Sequence, residues 1–251
     1  MPTALTPARA WRLVLERVER DLLDGLLAPG ERLPSERELA AQLGVGRSSV
    51  REALRVLEVM GLIRTGTGSG PSSGAIIIAT PQGGMSALLR LQVAAHGFPL
   101  DDVVRTRLVL ETAVVTELAG AEASTPAPSA GGDALAAARI TLRAMDAADL
   151  TPGEFLALDA QLHLALAEAS GNTVIAAIMA GLRTSIESYV QAGATALADW
   201  DATAARLRQE HHAIIHAIDA HDAQRARALI HSHITGYYAE AGLAREVSRK
   251  A

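Results

Sequence analysis

The chain contains no cysteine, which excludes disulfides and any thiolate metal site, so a metal could be held only through nitrogen and oxygen. Aromatic residues make up only 3% of the 251 residues, while 49% are hydrophobic, with alanine and leucine dominant. That balance suits helices that pack closely through small side chains. No apolar run is long enough to span a bilayer, and the opening TPARAWRLVLERVER reads as a charged amphipathic helix, not a signal peptide. A cytoplasmic protein with no membrane partner is expected.

An excess of positive charge is also missing, since the formal net charge is −5. Through Thr80, however, ten arginines stand against nine acids, about +1, which leaves about −6 for the remainder. The length accommodates two domains. We expect one at residues 1–79, a linker at 80–84 (TPQGG), and a second domain at 85–251.

The most informative stretch is PGERLPSERELAAQLGVGRSSVREALRVLEVMGLIRTGTGSG, Pro29 to Gly70. Ser35 with Glu38 three residues on forms a capping box and starts a short helix, and Gly44 ends it. A second helix is expected from Arg47 to about Met60. In it Val50, Leu54 and Leu57 make a buried stripe, and Arg47, Arg51 and Arg55 share a cationic face. Two short helices joined by a glycine turn are the helix-turn-helix pattern, whose second helix places its N-terminal residues at base edges. Arg47, Ser48, Ser49 and Arg51 occupy that end. The following LIRTGTGSGPSSGAIIIAT has two apolar runs about a glycine-rich tip, the pattern of a β-hairpin wing. A first helix, Pro7 to Leu26, should cover this unit. Because the unit is only weakly basic, one copy should bind DNA poorly, which points to a homodimer on a palindromic duplex.

After the linker every periodic segment is helical, giving a fold that is mainly α: a winged helix-turn-helix followed by an all-α bundle of six or seven helices. Expected helices run from Met85 to His96, Leu100 to Ala121, Asp133 to Ala148, Thr151 to Ser170, Asn172 to Leu197, Asp201 to Ala220 and Asp222 to Val247. Ala123 to Gly132, ASTPAPSAGG, reads as an exposed loop.

Helical periodicity turns four polar residues of the bundle inward. Asp159 and His163, four apart, share a stripe with Leu156 and Leu166; His211 lies with Leu207, Ile214 and Ile218; His233 lies with Ala226, Ile230 and Tyr237. Burying these groups unpaired costs roughly 1–3 kcal/mol each. A divalent metal removes that cost, and one carboxylate with three imidazoles suits zinc, nickel, manganese or iron. Hydrogen-bonded core histidines with no metal are the alternative.

The block from Gly30 to Gly61 resembles the DNA-binding domain of the GntR superfamily of bacterial transcription regulators, with PG-x-x-LPSER-x-LA followed by GV-x-R-x-x-V-R-x-AL-x-x-L-x-x-x-G-L-I almost unbroken. The resemblance implies operator contacts by Arg37, Arg47, Ser48, Ser49 and Arg51, with Gly68 at the wing tip. Gly46 and Gly66 depart from the commoner residues, which bears on the operator sequence. The second domain resembles the FCD domain of the FadR branch. The matching residues are Arg107 to Glu111 (R-x-x-x-E), Asp159, His163, Gly171 and Asn172 (D-x-x-x-H…GN), Glu210 to Ile218, and Ala226 to His233. That resemblance implies that Asp159, His163, His211 and His233 are metal ligands and that Arg107 grips the carboxylate of a small organic acid. It also places Asn172 at the pocket's border, where a helix cap is the competing role. The complete ligand set implies a short effector such as lactate, another hydroxy acid or a sugar acid.

The resulting expectation is a non-enzymatic regulator, a repressor by resemblance, whose operator affinity responds to an acid at the metal. A metal-dependent hydrolase with an appended DNA-binding module is the reading from another class, because Asp and His ligands can activate water. No spare carboxylate is evident as its general base.

Overall fold

The computed structural model describes residues 7–66, 74–78, 82–95, 97–121, 133–195 and 197–242. It divides into two compact units, Met1–Met85 and Ser86–Ala251.

The first unit contains α1 (Pro7–Leu23), α2 (Glu36–Leu43), α3 (Arg47–Val59), β1 (Ile63–Gly66) and β2 (Gly74–Ile77). Its core is aliphatic, with Val14 and Val18 of α1, Leu39 of α2, Val50, Leu54 and Leu57 of α3, and Ile63 and Ile77 of the strands. α1 stops at Leu23 instead of Leu26, because Gly25 takes φ +70° and the N–H groups of Leu26 and Leu27 turn back to the Asp21 carbonyl. The capping box forms: Ser35 Oγ accepts from the Glu38 N–H at 3.3 Å, and the Glu38 carboxylate accepts from the Ser35 N–H at 2.9 Å. Gly44, at φ +64°, closes α2 in the left-handed conformation. The strands pair antiparallel, with Ile63 opposite Ile77 and Gly66 opposite Gly74. Gly68, at the expected wing tip, lies outside the described residues.

Helix α4 (Gln82–Ala94) begins inside the segment expected to be a linker. Gly84 serves a close approach: a Cβ there would lie 2.3 Å from the Met60 carbonyl oxygen. A side chain at Gly84 would have no room.

The second unit continues with α5 (Leu100–Gly120), α6 (Ala136–Met145), α7 (Pro152–Ala169), α8 (Thr173–Ala194), α9 (Trp200–Asp219) and α10 (Ala223–Glu240). With α4 this makes seven helices after Thr80 among the described residues. The expected loop at 123–132 lies outside them. α5 packs on α7, α8, α9 and α10, and α7 lies between α6 and α8. Thr151 and Glu154 form the cap of α7 as expected. α9 starts earlier than expected, because Asp199 and not Asp201 supplies the capping oxygen, accepting from the Ala202 N–H at 3.0 Å. α6 is shorter than expected, as Asp133 is used before it, accepting from the Leu135 N–H and pairing with Arg139. No helix among the described residues is long and apolar enough to cross a membrane.

Candidate functional site

On the first unit, Arg37, Arg47, Ser48 and Arg51 are exposed and Ser49 is half-buried. They lie on α2 and the first turn of α3, opposite the side that packs through Val50, Ala53, Leu54 and Leu57. Gly46 caps α3 without any side-chain hydrogen bond, so the first N–H groups of the helix point outward with no intramolecular side-chain acceptor. Such an N-terminus favours a phosphate oxygen. The face is not purely cationic, however. Arg51 Nη2 stands 3.1 Å from Glu36 on α2, so one arginine of the expected stripe is shared with an acid. Glu58, near the end of α3, accepts from the Thr65 N–H at 2.9 Å and from its hydroxyl at 2.6 Å. That tie fixes the base of the wing to the recognition helix.

In the second unit α7 supplies Asp159 and His163, α9 His211 and α10 His233, all buried. One ligand-type atom from each lies within 4.8 Å of the others. His211 Nε2 is 3.0 Å from Asp159 Oδ1, His163 Nε2 and His233 Nε2 are each 3.7 Å from it, and those two nitrogens are 3.2 Å apart. For a tetrahedral ion with ligands at 2.0–2.1 Å the edges are about 3.3 Å, so these separations are of the right size.

The outer contacts decide how the rings are protonated. His163 Nδ1 abuts the Glu111 carboxylate, and His233 Nδ1 is 2.8 Å from Glu210 Oε2. At His233 the Glu210 carboxylate holds the proton on Nδ1 and leaves Nε2 as the lone pair, whereas the contact of His163 Nδ1 with Glu111 is an ion-pair approach off the hydrogen-bond line. Two imidazole nitrogens 3.2 Å apart need a proton or a cation between them. His211 has neither nitrogen in a well-directed hydrogen bond; its short approach to Asp159 is off the hydrogen-bond line, as expected of groups that converge on a shared point.

Electrostatics agree. Burial pushes the His211 imidazole down to about 4, reinforced by His233 alongside, so it stays neutral near pH 7. Burial also disfavours the His163 imidazolium, but Glu111 and Asp159 together outweigh it and the His163 pKa is raised. Asp159 is held well below the usual carboxylate range, because the histidines around it overcome the opposing effect of burial. Glu111, against its own burial, is lowered to about 2 by Arg107 and His163.

Arg107, on α5, is 3% exposed; its Nε donates to Glu111 Oε1 at 2.5 Å, and its Nη2, 3.9 Å from Asp159, has no hydrogen-bond partner. It lines both of the small cavities that flank the cluster, one with His163 and the other with Asp159 and His233. Each cavity has room for about one water. Asn172 does not join this site. It is exposed, and its Oδ1 caps α8 by accepting from the N–H groups of Val174 and Ile175 at 3.2 and 3.1 Å.

Sequence reasoning missed Glu111 and Glu210 as ring-orienting groups. Glu111 is four residues from Arg107, a spacing that could have revealed the pair; Glu210 precedes the inward His211, and nothing in the α9 pattern shows it reaching α10. Both carboxylates are already engaged, Glu111 with Arg107 and His163, Glu210 with His233 and Arg206. Neither is free to act as a general base.

A helix-turn-helix with a hairpin wing and an exposed basic second helix defines a DNA-binding transcription regulator. Residues 12–71 match the family of bacterial regulatory proteins called the gntR family, and residues 102–236 match the FCD domain. The chain belongs to the GntR family and carries an FCD domain in its second half. It is 31% identical to the HTH-type transcriptional repressor NanR of Escherichia coli (strain K12), over 88% of this chain and 80% of that one. It is 30% identical to NanR of Edwardsiella tarda (strain FL6-60), covering 90% and 83%. A candidate L-lactate dehydrogenase operon regulatory protein of Escherichia coli (strain K12) is 29% identical, covering 91% and 85%. Among solved structures, the Streptococcus agalactiae GntR shares the fold with a TM-score of 0.53 at 23% identity, covering 92% of this chain and 98% of that one.

Proposed function

We propose that the chain is a homodimeric repressor that binds a palindromic operator and releases it when a small organic acid occupies the FCD domain. On this reading Asp159, His163, His211 and His233 hold a divalent ion, zinc or another borderline metal. The observation that carries it is the 3.2 Å approach of two imidazole Nε2 atoms whose Nδ1 atoms both face carboxylates, an arrangement that calls for a positive centre between them. Support for repression comes from relatives named as repressors, and a relative named for an L-lactate dehydrogenase operon is in keeping with an acid effector.

The bound ion would supply an electrophilic point for a carboxylate oxygen. Arg107 Nη2, buried and without a hydrogen-bond partner, would take the other oxygen, while Glu111 keeps that guanidinium fixed. Both neighbouring cavities hold about one water, so an acid of several atoms enters only if the helices around Arg107 move apart. That movement is the differential interaction through which a ligand shifts the equilibrium between two states. On the DNA side, Arg47 reads a base edge, and Arg37, Ser48, Ser49 and the open N-terminus of α3 meet the backbone, with Gly68 at the wing.

Metal analysis of full-length protein purified without an affinity tag tests the first half of the proposal; about one equivalent of a divalent ion per chain is expected. A mobility shift on DNA selected from a random library, reversed by a short carboxylate only in the metal-loaded state, tests the second. Protein that stays metal-free, shows no thermal shift on adding zinc and holds its operator whatever acid is added would leave the histidine cluster as an internal hydrogen-bonded core. Ester or phosphate turnover abolished by His211→Ala would instead favour a hydrolase.

A further inference from the structure

Arg183, on α8, has no part in the cluster, yet it lines the same small cavity as Arg107 and His163, and the rest of that lining is apolar. The residue is half-buried, so the side chain reaches inward from the surface, and its Nε is fully buried with no hydrogen-bond partner. Among the described residues, no carboxylate stands within ion-pair distance of it. Arg107, on the facing wall, is in the opposite position: Glu111 touches it and Asp159 is 3.9 Å away, so its charge is already balanced. The buried Tyr238 hydroxyl lies beside Arg107, so that guanidinium has a polar neighbour as well.

A buried guanidinium nitrogen with no acceptor is costly, and closing the cavity over a ligand removes what water reaches the rest of the group. One carboxylate shared between Arg107 and the cluster does nothing for Arg183. We propose that the acid recognised by this chain carries a second anionic group, and that Arg183 of α8 reads it, so that Arg183 is the specificity-determining residue of the pocket. This rests on the effector reading above. It also supplies a way for the ligand to act on the helix: α8 is drawn towards α5 and α7 only when both ends of the acid are held.

The test uses full-length, metal-loaded protein and matched pairs of acids, lactate against malate and glycerate against 3-phosphoglycerate, followed by isothermal titration calorimetry. At least one acid with a second anionic group is expected to bind about tenfold or more tightly than its single-charge partner, the range for hydrogen bonds to charged groups. Arg183→Met should abolish that preference while leaving the monoacid within about twofold, and Arg183→Lys should restore part of it. Melting curves without ligand show whether Arg183→Met is folded, with Arg183→Gln as its replacement if it is not. Equal affinity for both members of each pair, or equal loss of both in Arg183→Met, overturns the role of Arg183 alone. Failure of every acid to bind overturns the effector reading with it.

Discussion

On α2 and α3 the arginines stand in water, and the ion pair between Arg51 and Glu36 has side chains 59% and 38% exposed. In the helical unit Arg107, Glu111, Asp159, His163, His211 and His233 are each no more than 4% exposed. The exposed set is ready for a partner that brings many charges of its own along a wide surface. A duplex does so, and each neutralised phosphate contributes modestly and in a salt-dependent way. The buried set is organised for few atoms, because an uncommitted polar group in the interior is costly until something small completes it. Uncommitted atoms thus mark both sites, but burial tells a polyelectrolyte surface from a small-ligand pocket.

The largest expected effect breaks the buried side of this contrast. Glu111→Ala leaves Arg107 charged and without its closest partner in the interior, which should cost about 3–5 kcal/mol. Urea denaturation of metal-free protein measures it. A loss below about 1 kcal/mol would mean that water reaches Arg107 and that the pocket is open, not sealed.

His211→Ala comes next and separates metal binding from folding. The imidazole makes no well-directed hydrogen bond, so its removal costs packing but breaks no polar network. Metal affinity, read by chelator competition, should fall at least about 100-fold, beyond what outer partners of a ligand contribute. The stabilisation that saturating metal gives the parent protein, about 2.7 kcal/mol at a hundred times Kd, should vanish with it.

Acidity sharpens the same point. The His163 pKa is raised, so near neutral pH a proton competes with metal at that ring, and metal affinity should rise from pH 6 to pH 8. In metal-free protein the two rings act in opposite directions. His211, lowered to about 4, contributes a stability loss as pH falls from 6.5 towards 4. His163 contributes stability that is present below 6.5 and lost as pH rises through its raised value. Melting midpoints measured with a chelator should therefore peak near pH 6.5, and a midpoint rising steadily to pH 9 would contradict the ring assignments.

How far the sequence discloses these sites follows from how local their determinants are. The helix-turn-helix rests on neighbours: Ser35 with Glu38, Gly44 after Leu43, and Val50, Leu54 and Leu57 in one helix, all visible at short range. The four inward polar residues could be found the same way, each from the periodicity of its own helix. Glu210 reaching His233 and Arg183 reaching the Arg107 cavity depend on how α8, α9 and α10 are packed, which no single-helix pattern contains. Of the two roles the sequence left open for Asn172, the helix cap is the one seen, since its Oδ1 accepts from the first N–H groups of its own helix. Gly84 is legible only as part of a linker, because its close approach to Met60 is a tertiary fact.

On the exposed side, Arg47→Ala should lower affinity for the operator by roughly 1–3 kcal/mol while affecting random duplex much less, as expected of a bidentate base contact. Fluorescence anisotropy on both duplexes decides it; equal loss on the two would restrict Arg47 to phosphate.

The smallest effect concerns the acid among those arginines. Glu36→Gln removes a negative charge from the face and frees Arg51, while the exposure of both partners means the melting midpoint should not move. Non-specific DNA affinity should increase and its salt dependence steepen by about one counterion, because one more arginine is available to phosphate. Preference for the operator should narrow, since Glu36 keeps Arg51 from settling on any backbone it meets. Affinity that fell equally for all duplexes would mean that Glu36 positions Arg51 for the phosphate itself, so that this exposed pair works as an orienting device of the kind Glu111 provides in the interior.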